Sequence, residues 1–311
     1  MAGIVALDIG GTKISAGVFR PDGVMRTRSE APTEARQGPD AVVERICRTI
    51  REALALAGEE APEAIGVACP GPLSPSRGEV IFAPTLGWRN LPITRRISQQ
   101  FDCPVILEND ANAAAYGEYR LGAGRGSSSL AYLTVSTGVG CGLVLDGKIL
   151  QGFHESAGEF GHLNVVPEGG RPCLCGRTGC LEAYASGTGI AAMARERMKI
   201  EPTALSQYAS VTAREVAQCA REGDALCLSI YREAGEKLGR GIAALQMLVD
   251  IECVVLGGSV VHAFDLFAPS LVRTVEALSY WGAESEKWLR KARLAPDAGL
   301  VGAALLAAQA L

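Results

Sequence analysis

A chain of 311 residues, 48% of them hydrophobic, can bury a core of ordinary size and divide into two lobes. Its formal net charge of -4 and its lack of a long Lys/Arg run exclude a general attraction to nucleic acid or anionic membrane. The first residues, Met1-Ala2-Gly3-Ile4-Val5-Ala6-Leu7-Asp8, lack the basic and apolar regions of a signal peptide. No stretch reaches the ~20 uncharged apolar residues of a membrane helix, so a soluble, cytoplasmic protein is expected.

Strand-like runs follow one another at Ile4 to Asp8, Ile14 to Phe19, Ala64 to Ala68, Val105 to Glu108, Leu130 to Val135, Gly142 to Leu145 and Cys253 to Leu256, several bounded by Gly or Asp. Helical patterns cover Asp40 to Ala57, Ala111 to Leu121, Gly187 to Met198, Ala213 to Glu222, Ala225 to Val249 and Gly302 to Leu311. The alternation predicts an α/β architecture. Between Pro167 and Cys180 the chain is rich in Gly, Cys and Pro and reads as a loop.

Two glycine turns repeat. Asp8-Ile9-Gly10-Gly11-Thr12-Lys13 ends the first strand, Ser136-Thr137-Gly138-Val139-Gly140 ends the fifth, and each leads straight into another strand. Glycine lets backbone N–H groups approach phosphate oxygens and Thr adds a donor, so two such hairpins could clamp a triphosphate between lobes. The first is not a Walker A loop, since no Gly-x4-Gly-Lys-Ser/Thr is present and a strand follows. Asp8 at its strand end could hold Mg²⁺ or its waters. A third turn, Gly257-Gly258-Ser259, could let a flat purine lie against backbone, or simply join a strand to a helix.

Asp110 lies where an apolar strand meets an Ala-rich helix, the place where α/β folds put ligands. Read locally, Asn109 or Asp110 is first of all a cap for that helix. His162, Cys173, Cys175 and Cys180 supply one imidazole and three thiols within 19 residues, a set that suits a structural tetrahedral zinc site. The other seven cysteines are spread singly and read as reduced thiols. Glu159 and Glu182 flank the zinc-type cluster; taken alone they are solvent-facing carboxylates. His154 and His262 lack partner spacing and read as surface histidines, and Trp88 as a packing residue.

Eight pieces in order carry a resemblance along essentially the whole chain: Asp8 to Lys13, Pro70-Gly71-Pro72, Glu108 to Asn112, Ser136 to Gly140, Ala157 to His162, Cys173 to Glu182, Leu256 to Gly258 and Gly302 to Ala304. Together they resemble the ROK family of sugar kinases and related repressors. The resemblance implies a two-lobed actin-like (ribonuclease H-like) fold with a duplicated α/β core and a central cleft. It places residues 1–118 plus 297–311 in a small lobe and 119–296 in a large one. It implies ATP-dependent phosphorylation of a hexose 6-hydroxyl, with Asp110 as catalytic base. Gly71, Asn109, Asp110, Glu159, His162 and Glu182 would bind the sugar. Asp8, Gly10, Gly11, Thr12, Lys13, Thr137, Gly138, Gly257 and Gly258 would bind ATP with Mg²⁺, and His162, Cys173, Cys175 and Cys180 would hold Zn²⁺.

Glucose, as a feed into glycolysis, is the leading substrate by resemblance. N-acetylmannosamine, N-acetylglucosamine, allose, mannose and fructose are alternatives, and a homodimer or homotetramer is implied. A sugar-responsive regulator is the non-enzymatic alternative; its family members carry a helix-turn-helix domain first, for which a strand starting at Ile4 leaves no room. A sugar sensor would be expected to have lost Asp110 or the phosphate turns. The chain departs from the family pattern at Thr85, Cys141 and Phe153-His154-Glu155.

Overall fold

The computed structural model describes residues 3–280 and 282–311; Met1, Ala2 and Trp281 lie outside the described residues. In chain order the elements are β1 (Ile4–Ile9), β2 (Lys13–Phe19), β3 (Met25–Pro32), α1 (Pro39–Ala57), β4 (Ala64–Cys69), β5 (Leu73–Ser74), β6 (Glu79–Ala83), β7 (Trp88–Leu91), α2 (Ile93–Phe101), β8 (Val105–Asn109) and α3 (Asp110–Leu121). Next come β9 (Ser129–Val135), β10 (Val139–Leu145), β11 (Lys148–Ile149), α4 (Glu182–Ala185), α5 (Gly187–Arg197), α6 (Ala213–Arg221) and α7 (Ala225–Val249). The chain ends with β12 (Cys253–Gly257), α8 (Phe264–Leu278), α9 (Ser285–Trp288), β13 (Leu289–Lys291) and α10 (Ala298–Ala308).

Two compact units result. The first comprises Met1–Ser128, Gly142–Ala157 and Ala292–Leu311, the second Ser129–Cys141 and Gly158–Lys291. The boundaries expected at 118 and 297 thus fall several residues from these. Contacts with α3 tie in two of the three added segments. Gly142 lies on α3 so closely that a Cβ there would meet the Ala111 carbonyl and stand 2.6 Å from the Ala115 methyl. Buried Glu118 accepts from the backbone N–H groups of Arg293 and Leu294 at 2.9 and 2.7 Å, tying the return of the chain to α3.

In the first unit a five-stranded sheet runs in the order β3-β2-β1-β4-β8. The hairpin β1–β2 is antiparallel; β4 lies parallel to both β1 and β8. Val5, Leu7 and Ile9 on one face pack with Val42, Ile46 and Ile50 of α1 in a single apolar core. The other face carries small residues beneath α10, and a Cβ at Gly66 would meet the Ala303 carbonyl. Trp88 is 1% exposed within the same core as α1, as expected of a packing residue. Charged β3, with Arg26, Arg28 and Glu30, and Pro-containing α8 lie outside the sequence expectations: an edge strand need not be apolar, and Pro269 reads as a helix breaker.

The second sheet has the order β11-β10-β9-β12-β13, with β12 parallel to β9 and β13. A hairpin flanked by a parallel strand therefore occurs twice, matching the two glycine turns. Helices α7 and α8 pack through Gly235 and Gly239, where a Cβ would press on Phe267 and Leu271 backbone. No described helix is long and apolar enough to cross a membrane.

Candidate functional site

Strand register places the functional groups of the first unit. Asp8 pairs with Ala68, and Cys69 with Asn109, so Asp8, the Cys69-Pro70-Gly71 exit and Asn109 stand abreast at the carboxyl ends of three parallel strands. Between β1 and β2 the turn closes through Gly10 N–H to the Lys13 carbonyl at 2.9 Å. Fully buried Thr33 braces it: its hydroxyl donates to the Gly10 carbonyl at 2.6 Å and its N–H to Thr12 O at 2.9 Å. Thr85 packs on Gly11, where an added Cβ would come 2.9 Å from the Thr85 side chain. This departure from the family pattern thus touches the phosphate-type turn.

Burial first, then the charge of Asp110, pushes the Asp8 carboxyl up to about 6, while Lys13 and Arg28 pull it the other way. Arg28 is itself paired with Asp297 and Glu30, and Glu30 also binds Lys13 at 2.8 Å. A network of alternating charge therefore surrounds the strand end.

The local ambiguity at α3 resolves in favour of Asn109. Its backbone is extended (φ -63°, ψ 143°) and its side-chain oxygen accepts from the N–H groups of Ala111 and Asn112 at 2.9 and 3.3 Å. With that oxygen engaged, the Asn109 amide nitrogen is the group suited to bind another oxygen. Asp110, one position on, is exposed in the first helical turn, where the macrodipole favours a carboxylate. Beneath it Glu108, 5% exposed, accepts from Asn112 Nδ2 at 2.9 Å and from Gln151 Nε2 at 2.8 Å.

In the second unit the β9–β10 turn is held by Ser136 N–H to the Gly138 carbonyl at 2.9 Å and by Thr188 Oγ1 to the Thr137 carbonyl at 2.8 Å. Glu182 opens α4 and one of its oxygens accepts from Val139 N–H at 3.0 Å, so this carboxylate braces the second turn. Gly258, at φ +90°, sits against Val135 backbone where no side chain fits, and Ser259 Oγ lies 3.1 Å from Ser136 Oγ. These hydroxyls edge a cavity of about 750 Å³ that also takes in Thr137, Arg195, Arg214 and His262. His262 is exposed, as expected, but it belongs to this cavity; its lack of a spaced partner hid that role. His154 is exposed.

His162, Cys173, Cys175 and Cys180 converge, with one ligand atom of each within 4.8 Å of the others. His162 Nδ1 stands 3.8 Å from Cys173 Sγ, and Cys175 Sγ stands 3.7 Å from Cys180 Sγ. Thiolates bound tetrahedrally at Zn–S distances of about 2.3 Å sit roughly 3.8 Å apart, so the donor set fits a metal of that kind. His162 presents its other nitrogen, Nε2, 3.9 Å from Glu159. The remaining cysteines are free thiols.

The fold is that of a two-lobed actin-like phosphotransferase, with a glycine-turn hairpin in each unit, the Asp8/Asp110 pair in the first and the Cys/His cluster in the second. The chain belongs to the ROK family, whose description matches residues 4–310. It is 35% identical to a glucokinase of Halalkalibacterium halodurans over 98% of this chain and 94% of that one. It is 37% identical to an N-acetylmannosamine kinase of Escherichia fergusonii over 97% of each. The structure of a ROK glucokinase from Streptomyces griseus in complex with glucose and AMPPNP superposes with a TM-score of 0.82 at 34% identity, covering 99% of this chain and 100% of that one.

Proposed function

We propose that this protein transfers the γ-phosphoryl group of ATP to the 6-hydroxyl of a hexose, glucose first. The observation that carries the reading is the β8–α3 junction: Asn109 caps the helix, while Asp110, whose Oδ1 accepts from Ala111 N–H at 2.8 Å, keeps an exposed carboxylate within range of the Asp8 charge. Asp110 accepts the proton of the attacking hydroxyl, and the Asn109 amide orients the ring. Phosphoryl transfer needs an oriented nucleophile and charge neutralisation more than covalent help. Gly71, Glu159, His162 and Glu182 complete the sugar contacts. The turns at Gly10, Gly11, Thr12 and Lys13 and at Thr137 and Gly138 take the phosphates, with Gly257 and Gly258 beside the adenine.

Mg²⁺ bound with ATP near Asp8 would offset phosphate charge. Zn²⁺ held by His162, Cys173, Cys175 and Cys180 would be structural, since a closed four-ligand site leaves no open position. N-acetylmannosamine is the second substrate reading, supported by the identity to the Escherichia kinase. The protein is proposed to be cytoplasmic and homo-oligomeric. A coupled assay of ATP consumption over glucose, mannose, allose, fructose and the two N-acetylated hexosamines is expected to give the highest kcat/KM with glucose. Sugar binding without ATP consumption, for every sugar, would overturn the kinase reading.

A further inference from the structure

The segment from Gln151 to Ala157 is fastened at both ends within the first unit. Gln151 Nε2 donates to buried Glu108, the residue preceding Asn109, at 2.8 Å. At the other end the Glu155 carboxylate receives Ser74 Oγ at 2.6 Å and Ser76 N–H at 2.9 Å, across about eighty residues of chain. Ser74 is 5% exposed and also takes Arg77 Nε at 3.2 Å. Glu155 makes these bonds from a left-handed backbone conformation, φ +54°, which costs a non-glycine residue roughly 1 kcal/mol or more and persists only where contacts enforce it. Ala157 N–H closes the loop on the Gln151 carbonyl at 2.9 Å. Phe153, 96% exposed, and His154 stand edge to face on top of it, ring centroids 4.9 Å apart.

One anchor therefore neighbours Asn109 and the other follows Gly71-Pro72 by two to four residues. We propose that Glu155 is a positioning residue that straps the 151–157 loop across the edge carrying Gly71 and Asn109, and so sets affinity for the acceptor sugar. The inference rests on the sugar kinase reading for the identity of the ligand. The strap acts without touching the sugar: it fixes the two backbone segments that do, and it fixes the entry into Gly158-Glu159. Loop ordering completed before the ligand arrives is affinity gained.

The test compares E155G, which relieves the strained backbone while removing the carboxylate, with E155Q, whose amide can still accept from Ser76 N–H and donate to Ser74 Oγ. Calorimetric titration with D-glucose and with N-acetyl-D-mannosamine is expected to show Kd raised about tenfold in E155G and near wild type in E155Q, the ordering of one or two loop residues, then deferred to binding, being of that order. The KM for ATP and kcat at saturating sugar are expected to hold. Wild-type sugar affinity in E155G overturns the strap, as does E155Q binding as weakly as E155G, or an ATP KM that rises in parallel. A wild-type enzyme that binds sugar but turns none over sinks the kinase reading alone, and the two Kd values still judge the strap.

Discussion

Asp8 and Asp110 stand close enough for each carboxylate to feel the other, yet their surroundings assign them different work. D110N is expected to keep sugar Kd within a fewfold while kcat falls by at least ~10², the signature of a lost general base; unchanged kcat in single-turnover measurements would defeat the assignment. Asp8 has a folded-state pKa raised to about 6, so the folded protein holds a proton there that the unfolded chain has already released. Stability from this group therefore declines as pH rises from about 4 through 6. D8N is expected to flatten that part of the Tm–pH profile of the ligand-free protein, to raise Tm at pH 8, and to abolish turnover, a trade of stability for function. The charged residues of the site were legible in the sequence because Asp, Asn and the glycines stand in short motifs. Arg28 and Thr33 were not, because one lies on polar β3 and the other just past its end, and only the pairing of β3 with β2 brings them there.

At the level of elements, segments with one strong periodicity were readable and mixed ones were not. Apolar β1, β4 and β12 and amphipathic α1 announced themselves. β3 is polar at an edge, α8 holds an internal proline, and α10 begins at Ala298, one turn earlier than its Ala-rich pattern suggested. That helix lies so close to its neighbours that G302A would drive a methyl into the Ala113 carbonyl. A loss of about 2 kcal/mol in denaturant stability is expected, in the range of overpacked cores; a midpoint equal to wild type would contradict the close approach. The 163–181 segment has scant hydrophobic packing, and its folding is assigned to the Cys/His cluster. Elemental analysis is expected to find about one zinc per chain, and chelation to make this segment the first cleaved by protease. A metal-free protein with full activity would remove the zinc.

On the scale of the molecule, the duplication of a hairpin beside a parallel strand was foreseeable from two glycine turns, whereas the unit boundaries were not. Sequence gives no warning that Gly142–Ala157 joins the first unit, since its reasons are contacts: Gly142 on α3 and Gln151 on Glu108. The proposed homo-oligomer is expected to show, by light scattering at micromolar concentration, two or four times the 32.5 kDa chain mass; a monomer would refute it.

The docking of α10 against Gly66, Ala113 and Gly117 has a consequence during synthesis. The ribosome makes the sheet of the first unit before the second unit, but the helix that covers one face of it only after the second unit. Unit-by-unit folding in order of emergence is thereby reversed here. The second unit can be complete while the first still exposes its Ala- and Gly-lined face, so a nascent chain stalled before Ala298 would hold a finished Cys/His loop and an unfinished phosphate-turn sheet.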